Sequence, residues 1–199
     1  TAKYFAPRLI SRFRNLYPGV QVSLAVNNRE AILQQLLNND IDIAIMGRPP
    51  QGMDMVGTAF ADHPLVIVCH PQYALANGMP IDPQQLAGEN FLVRESGSGT
   101  RTAMEQFFAD AGMTIRPDMV LPSNETIKQA VMAGLGIAFI SRHTIGLELK
   151  AGYLQILPVN GTPVMRAWHV VRRAAKPQTP MLKAFEELLL QSGQDLLSE

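Results

Sequence analysis

A chain of 199 residues with 47% hydrophobic and 17% charged residues has the apolar content to bury one core or two small ones, as an ordinary soluble α/β protein does. Its 17 Lys and Arg balance 17 Asp and Glu, so it lacks the basic excess with which a domain grips nucleic-acid phosphates directly. The single cysteine, Cys69, excludes an intrachain disulfide and a thiolate metal cluster, and no run approaches the roughly 18 apolar residues of a membrane span.

The start Thr1-Ala2-Lys3-Tyr4 has no apolar core of a signal peptide and runs at once into a helical pattern, so it reads as a cytoplasmic piece of something longer. From Tyr4 to Tyr17, Phe5, Leu9, Phe13 and Leu16 recur at helical spacing until Pro18-Gly19. Val20 to Val26 alternates like a strand with one packed side, and Asn27-Asn28 caps a second helix, Arg29 to Asn38, striped by Ile32, Leu33, Leu36 and Leu37. Ile41 to Met46 reads as a buried parallel strand, so helix and strand alternate as βαβ units do. After the loop Gly47–Gly52, Met55 to Phe60 and Leu65 to Cys69 read as two more strands. Pro71, Asn77-Gly78, Pro80 and Pro83 punctuate an aperiodic stretch taken as the crossing into a second lobe.

That lobe repeats the alternation. Phe91 to Val93 is a strand, Thr100 to Ala111 a helix, and Met119 to Leu121 extended. Ser123-Asn124-Glu125 caps a helix that buries Ile127, Ala130 and Val131, ended by Gly134 and Gly136 before the strand Ile137 to Ile140. Val164 to Arg173 reads as one long strand leading back, and Met181 to Leu190 as a last helix. The expected fold is α/β, two Rossmann-like lobes with a hinge and an interlobe cleft: residues 1–70 plus 170–199, and residues 71–169.

The segment Arg94-Glu95-Ser96-Gly97-Ser98-Gly99-Thr100-Arg101 leaves a strand, turns through two glycines and opens a helix. Freed amides and hydroxyls there suit an anion, although a Gly-Ser turn with Thr100 as an ordinary cap explains the same residues. It matches neither the nucleotide P-loop nor the dinucleotide fingerprint. Thr1, Ala2 and Lys3 before the first helix and Met46-Gly47-Arg48 after a buried strand sit where open sheets place ligands. Arg48, Arg94 and Arg101 together suit a carboxylate or phosphate. Asn124, at a helix start, is either a cap or a ligand contact. The four histidines show no metal-ligand spacing, no serine carries a nucleophile-elbow motif, and no cofactor is implied.

Thr1–Pro7, Asn28-Arg29-Glu30 with Asp42–Pro50, Phe91–Arg101 and Ser123–Gly136 together resemble the LysR family of bacterial transcription regulators, in order from Thr1 to about Phe185. Met46–Pro50 and Asn124–Gln129 resemble its Calvin-cycle, RuBisCO-operon branch. The resemblance implies a type II periplasmic-binding-protein-like fold, a winged helix-turn-helix DNA-binding domain before Thr1, and a first sheet strand also before Thr1. It implies a homodimer or homotetramer, paired through the helices at 29–38 and 124–133. DNA is the implied partner through the N-terminal domain, with RNA polymerase as a further one. The implied effector contacts are Thr1, Ala2, Lys3, Arg48, Arg94, Glu95, Ser96, Ser98, Thr100 and Arg101. Phosphorylated or nucleotide metabolites are the implied effectors, with transcription rather than catalysis as the output. Two other readings share the clamp: a solute-binding protein for transport, and an enzyme using Ser96 or Ser98 as nucleophile.

Overall fold

The computed structural model describes residues 2–50 and 52–198 and divides into two compact units. Unit 1 holds the residues up to His63 and those from Arg166; unit 2 is Pro64–Met165. The divisions fall inside two strands, β2 (Met55–Cys69) and β7 (Val164–Arg173), a few residues before residues 70 and 170.

Unit 1 contains α1 (Ala2–Leu16), α2 (Arg29–Leu37), β1 (Ala44–Met46) and α6 (Pro180–Ser198), with parts of β2 and β7. Phe5, Leu9 and Phe13 fall four residues apart on one face of α1 and pack with Leu188, Leu189 and Leu196 of α6 and Val170 of β7. Leu33 and Leu36 of α2 pack instead with Ala44, Met46 and Val171. Because strand side chains alternate, β1 and β7 each feed both cores, Ile45 and Val170 one, Ala44, Met46 and Val171 the other.

Three expectations for this unit need correction. Val20 to Val26 is not a strand, and Leu24 and Val26 lie exposed. Alternation supplies a packable face, but a strand also needs a ladder partner, and β1 takes the late strand β7 instead. That pairing is antiparallel, Ala44↔Val171 to Met46↔His169, not the parallel one expected for Ile41 to Met46. Met55–Phe60 and Leu65–Cys69 fuse into the single β2, since the ladder to β5 begins at Leu65, beyond Pro64 with its missing donor.

In unit 2, β3 (Phe91–Arg94), α3 (Gly99–Asp110) and β4 (Pro117–Leu121) form the expected βαβ crossover, β3 parallel to β4 with Leu92↔Met119 and Arg94↔Leu121. Helix α4 (Asn124–Met132) leads to β5 (Ala138–Ser141), which pairs antiparallel with β2. Two short pieces, α5 (Gly146–Lys150) and β6 (Gln155–Ile156), carry no periodicity and were not expected. Along Leu65–Cys69 the odd residues join Phe91, Phe108 and Phe139 in one core, and the even ones join Leu92, Ile127, Val131 and Ile140 in another. Burial on both faces is why that stretch is apolar without interruption.

Candidate functional site

Strand β3 delivers Arg94 at its C-terminal end beside the fully packed Val93, and the chain then turns through Gly97, whose φ of +80° favours a residue without Cβ. Ser98 is the extended N-cap of α3 and is buried; its amide donates to the Glu95 carbonyl at 3.3 Å. The first bond of the helix runs from the Thr102 amide to the Ser98 carbonyl at 3.1 Å, so the amides of Gly99, Thr100 and Arg101 precede any intrahelical acceptor. This is the anion-favouring end of a twelve-residue helix whose first turn holds no acidic residue.

The side chains around it are already engaged. Arg94 donates from Nε and Nη2 to the Glu95 carboxylate, at 2.7 and 2.8 Å, and from Nη1 to Asn124 Oδ1 at 2.8 Å. Arg101 donates from Nε to Glu105 at 2.8 Å and from Nη1 to the Arg94 carbonyl at 3.3 Å. Arg94, Glu95, Ser98, Thr100, Arg101 and Asn124 therefore belong to one constellation within unit 2, with Ser96 exposed on its turn. Its charge differs from the sequence expectation: each arginine carries a carboxylate partner, and the groups left to meet a ligand are mainly amides and hydroxyls. Asn124 proves to be the clasp that holds Arg94, placed at the first residue of α4 by the Ser123 cap, whose Oγ accepts from the Thr126 amide at 3.1 Å.

The remaining expected residues belong to unit 1. Arg48 follows β1 and is exposed, and its carbonyl accepts from Arg29 Nη2 at 3.3 Å. Lys3 is exposed on α1, Ala2 begins that helix, and Thr1 lies outside the described residues. Two arginines to which the sequence reading assigned no role lie in the same unit. Arg29 opens α2 behind the Asn28 cap, and Arg166 lies near the start of β7, its guanidinium held below its ordinary pKa by desolvation and then by the charge of Arg29. Nearby in the same strand, Trp168 stacks on His63 with ring centroids 3.8 Å apart.

Other chemistry is quieter. Burial pushes the Cys69 thiol up to about 11, which keeps it protonated and a poor nucleophile near neutrality. Among the described residues no three His, Cys, Asp or Glu stand together in a way that could hold a metal ion.

The family model described as the LysR substrate binding domain matches residues 1–194. The chain is 46% identical over 197 residues to the HTH-type transcriptional regulator CfxR of Cupriavidus necator, covering 99% of this chain and 62% of that protein. It is 47% identical over 194 residues to the HTH-type transcriptional regulator CbbR of Sinorhizobium medicae, covering 97% and 62%. Among solved structures, the regulatory domain of CcmR from Synechocystis in complex with 2-PG superposes with a TM-score of 0.90 at 38% identity, covering 96% of this chain and 91% of that one. The effector-binding domain of QuiR with shikimate shares the fold, with a TM-score of 0.83 at 20% identity over 94% and 90%. The chain thus spans less than two thirds of the length of CfxR and CbbR, and within that span it belongs to the family of LysR substrate-binding domains.

Proposed function

We propose that this chain is the effector-sensing part of a LysR-type regulator of carbon-fixation genes, and that its effector is a small phosphorylated acid. The observation that carries this reading is the likeness to the CcmR regulatory domain, solved with 2-PG, joined to the open α3 amides beside Ser98 and Thr100. In this reading the contacts within unit 2 are Arg94, Glu95, Ser96, Ser98, Thr100 and Arg101, with Asn124 fixing Arg94, and the other candidates, Lys3 and Arg48, belong to unit 1. Glu95 neutralises Arg94 and orients it, so the amides of α3 supply directed donors and Arg101 the nearest further cation. Arg101 is shared with Glu105 and can turn toward an incoming anion at small cost, because exposed ion pairs are weak.

The output is control of transcription rather than turnover. An effector that binds two arrangements of the units unequally shifts their populations; one that binds both equally switches nothing. DNA would be reached through a separate N-terminal domain in a homodimer or homotetramer, with RNA polymerase as a further partner. No helix among the described residues is long and apolar enough to cross a membrane, consistent with a cytoplasmic regulator.

A thermal-shift series with 2-phosphoglycolate, phosphoenolpyruvate, ribulose bisphosphate, NADPH, acetate and sulfate tests the reading. Stabilisation by a phosphorylated acid, lost in Arg101→Ala without a fall in the ligand-free melting temperature, is the expected result. Equal response of Arg101→Ala and the unaltered chain would remove Arg101 from the site, and silence toward every compound would sink the ligand class.

A further inference from the structure

Helix α4 carries two polar side chains on one face that both reach other elements of unit 2. Asn124, its first residue, accepts from Arg94 Nη1 at 2.8 Å, and Lys128 stands one turn later, about 6 Å further along the axis. The Lys128 ammonium belongs to a residue buried at 2% exposure and lies 2.6 Å from the Glu148 carboxylate of α5 and 3.1 Å from that of Glu125. Glu148 is in turn fixed at its backbone. Its carbonyl accepts from the amides of Tyr153 and Leu154 at 2.9 and 3.3 Å, and Leu154 packs in the same core as Ile127, Val131 and Ile145. A single turn of α4 thus joins the clasp on Arg94 to a buried ion pair with α5.

Apolar packing and this ion pair act differently on the helix. Burial of Ile127, Ala130 and Val131 holds α4 on the core but has no preferred direction. An ammonium between two carboxylates binds along fixed lines, and drawing it away from them inside the protein is costly. The bond from Arg94 weakens steeply once Asn124 leaves its line. We propose that Lys128 and Glu148 are positioning residues of the effector site: they fix α4 along its axis so that Asn124 holds Arg94 with its fork turned into Glu95, and neither touches the effector. The proposal rests on the anion-sensing reading for its consequence in binding, whereas the hold on Arg94 is a property of unit 2 itself.

The test uses the whole chain, isotope-labelled at arginine. Solvent exchange of the Arg94 guanidinium protons by NMR and calorimetric affinity for 2-phosphoglycolate are measured in the unaltered chain, in Asn124→Ala, in Lys128→Met, and in Lys128→Met combined with Glu148→Gln or with Asn124→Ala. Lys128→Met should speed exchange toward the rate in Asn124→Ala and weaken 2-phosphoglycolate by about threefold to tenfold. Adding Glu148→Gln should return part of the stability in urea but none of the affinity, because the tie between α4 and α5 stays broken. On the Asn124→Ala background, Lys128→Met should cost no further affinity. Affinity that returns along with stability would mark Lys128 as structural and overturn the proposal. So would Arg94 exchange left unchanged by Lys128→Met, or an equal loss of affinity with and without Asn124. Glu148→Asp, which keeps the charges and shortens the arm, covers a failure of Lys128→Met to fold and should move exchange in the same direction. If 2-phosphoglycolate binds none of these proteins, that effector class falls, and Arg94 exchange alone decides for or against the positioning role.

Discussion

Lys128 illustrates what periodicity misses at the level of a single residue. The helical stripe of α4 picks out Ile127, Ala130 and Val131, all buried, yet Lys128 is buried too, at 2% exposure. No pattern of apolar residues marks it, because its burial depends on Glu148 at 2.6 Å from a helix that the sequence does not announce, and on Glu125 at 3.1 Å. Lys128→Met should destabilise the protein by less than the roughly 3–5 kcal/mol of a fully buried broken pair, since both carboxylates keep some water. Adding Glu148→Gln should recover part of that loss in urea denaturation; strictly additive effects would argue against a coupled pair. Cys69 gives a pH dependence of known sign. Its folded pKa of about 11 lies above the ordinary 9.0, so its stabilising contribution is intact below pH 9 and is lost as pH rises toward 11, at no more than about 1.4 kcal/mol per pH unit. The alkaline arm of the stability curve should therefore flatten in Cys69→Ala, and an identical arm would contradict the burial argument.

Elements with their own caps and stripes were legible; those that depend on a distant partner were not. Helix α1 announces itself through Phe5, Leu9 and Phe13, α2 through Asn28 and α4 through Ser123, and the observed spans differ from expectation by a residue or two at the ends. Removing the α4 cap with Ser123→Ala should cost about 1 kcal/mol, and thermal denaturation against Thr126→Ser as control checks it. Because that cap also sets Asn124 against Arg94, the same variant should weaken effector binding, which a change far from the loop would not do. Strands fared differently. The Val20–Val26 alternation and the Ile41–Met46 run both read as strands, and only the second finds a ladder, at Ala44–Met46, with residues more than a hundred positions later. The glycines at the end of α4 also separate by cause: Gly134 has a φ of +78°, whereas a Cβ on Gly136 would meet the Asn90 carbonyl oxygen at 2.2 Å. The site followed the same rule. The segment from Arg94 to Arg101 is one local motif and was readable as such, but the clasp of Arg94 by Asn124 joins residues 30 positions apart and was not.

For the molecule as a whole, the two units should differ in how readily they open. Leu65 to Cys69 and Ile137 to Ile140 are buried on both faces and laddered to each other, while β1 has three residues and Val20–Val26 has no ladder. Amide hydrogen exchange should accordingly be slowest in the β2 and β5 peptides of unit 2 and fast across residues 20–26. Uniform protection of both units would instead mean that they open only together.

The order of synthesis follows from the same architecture. Unit 2 is one continuous stretch, whereas α1 precedes it and the packing partner of α1, α6, follows it. At roughly 5–20 residues per second, the apolar face of Phe5, Leu9 and Phe13 stays uncovered for on the order of ten seconds or longer. Helix α1 is thus packed only after unit 2 is free to fold, and its apolar face is where a chaperone would act on the nascent chain.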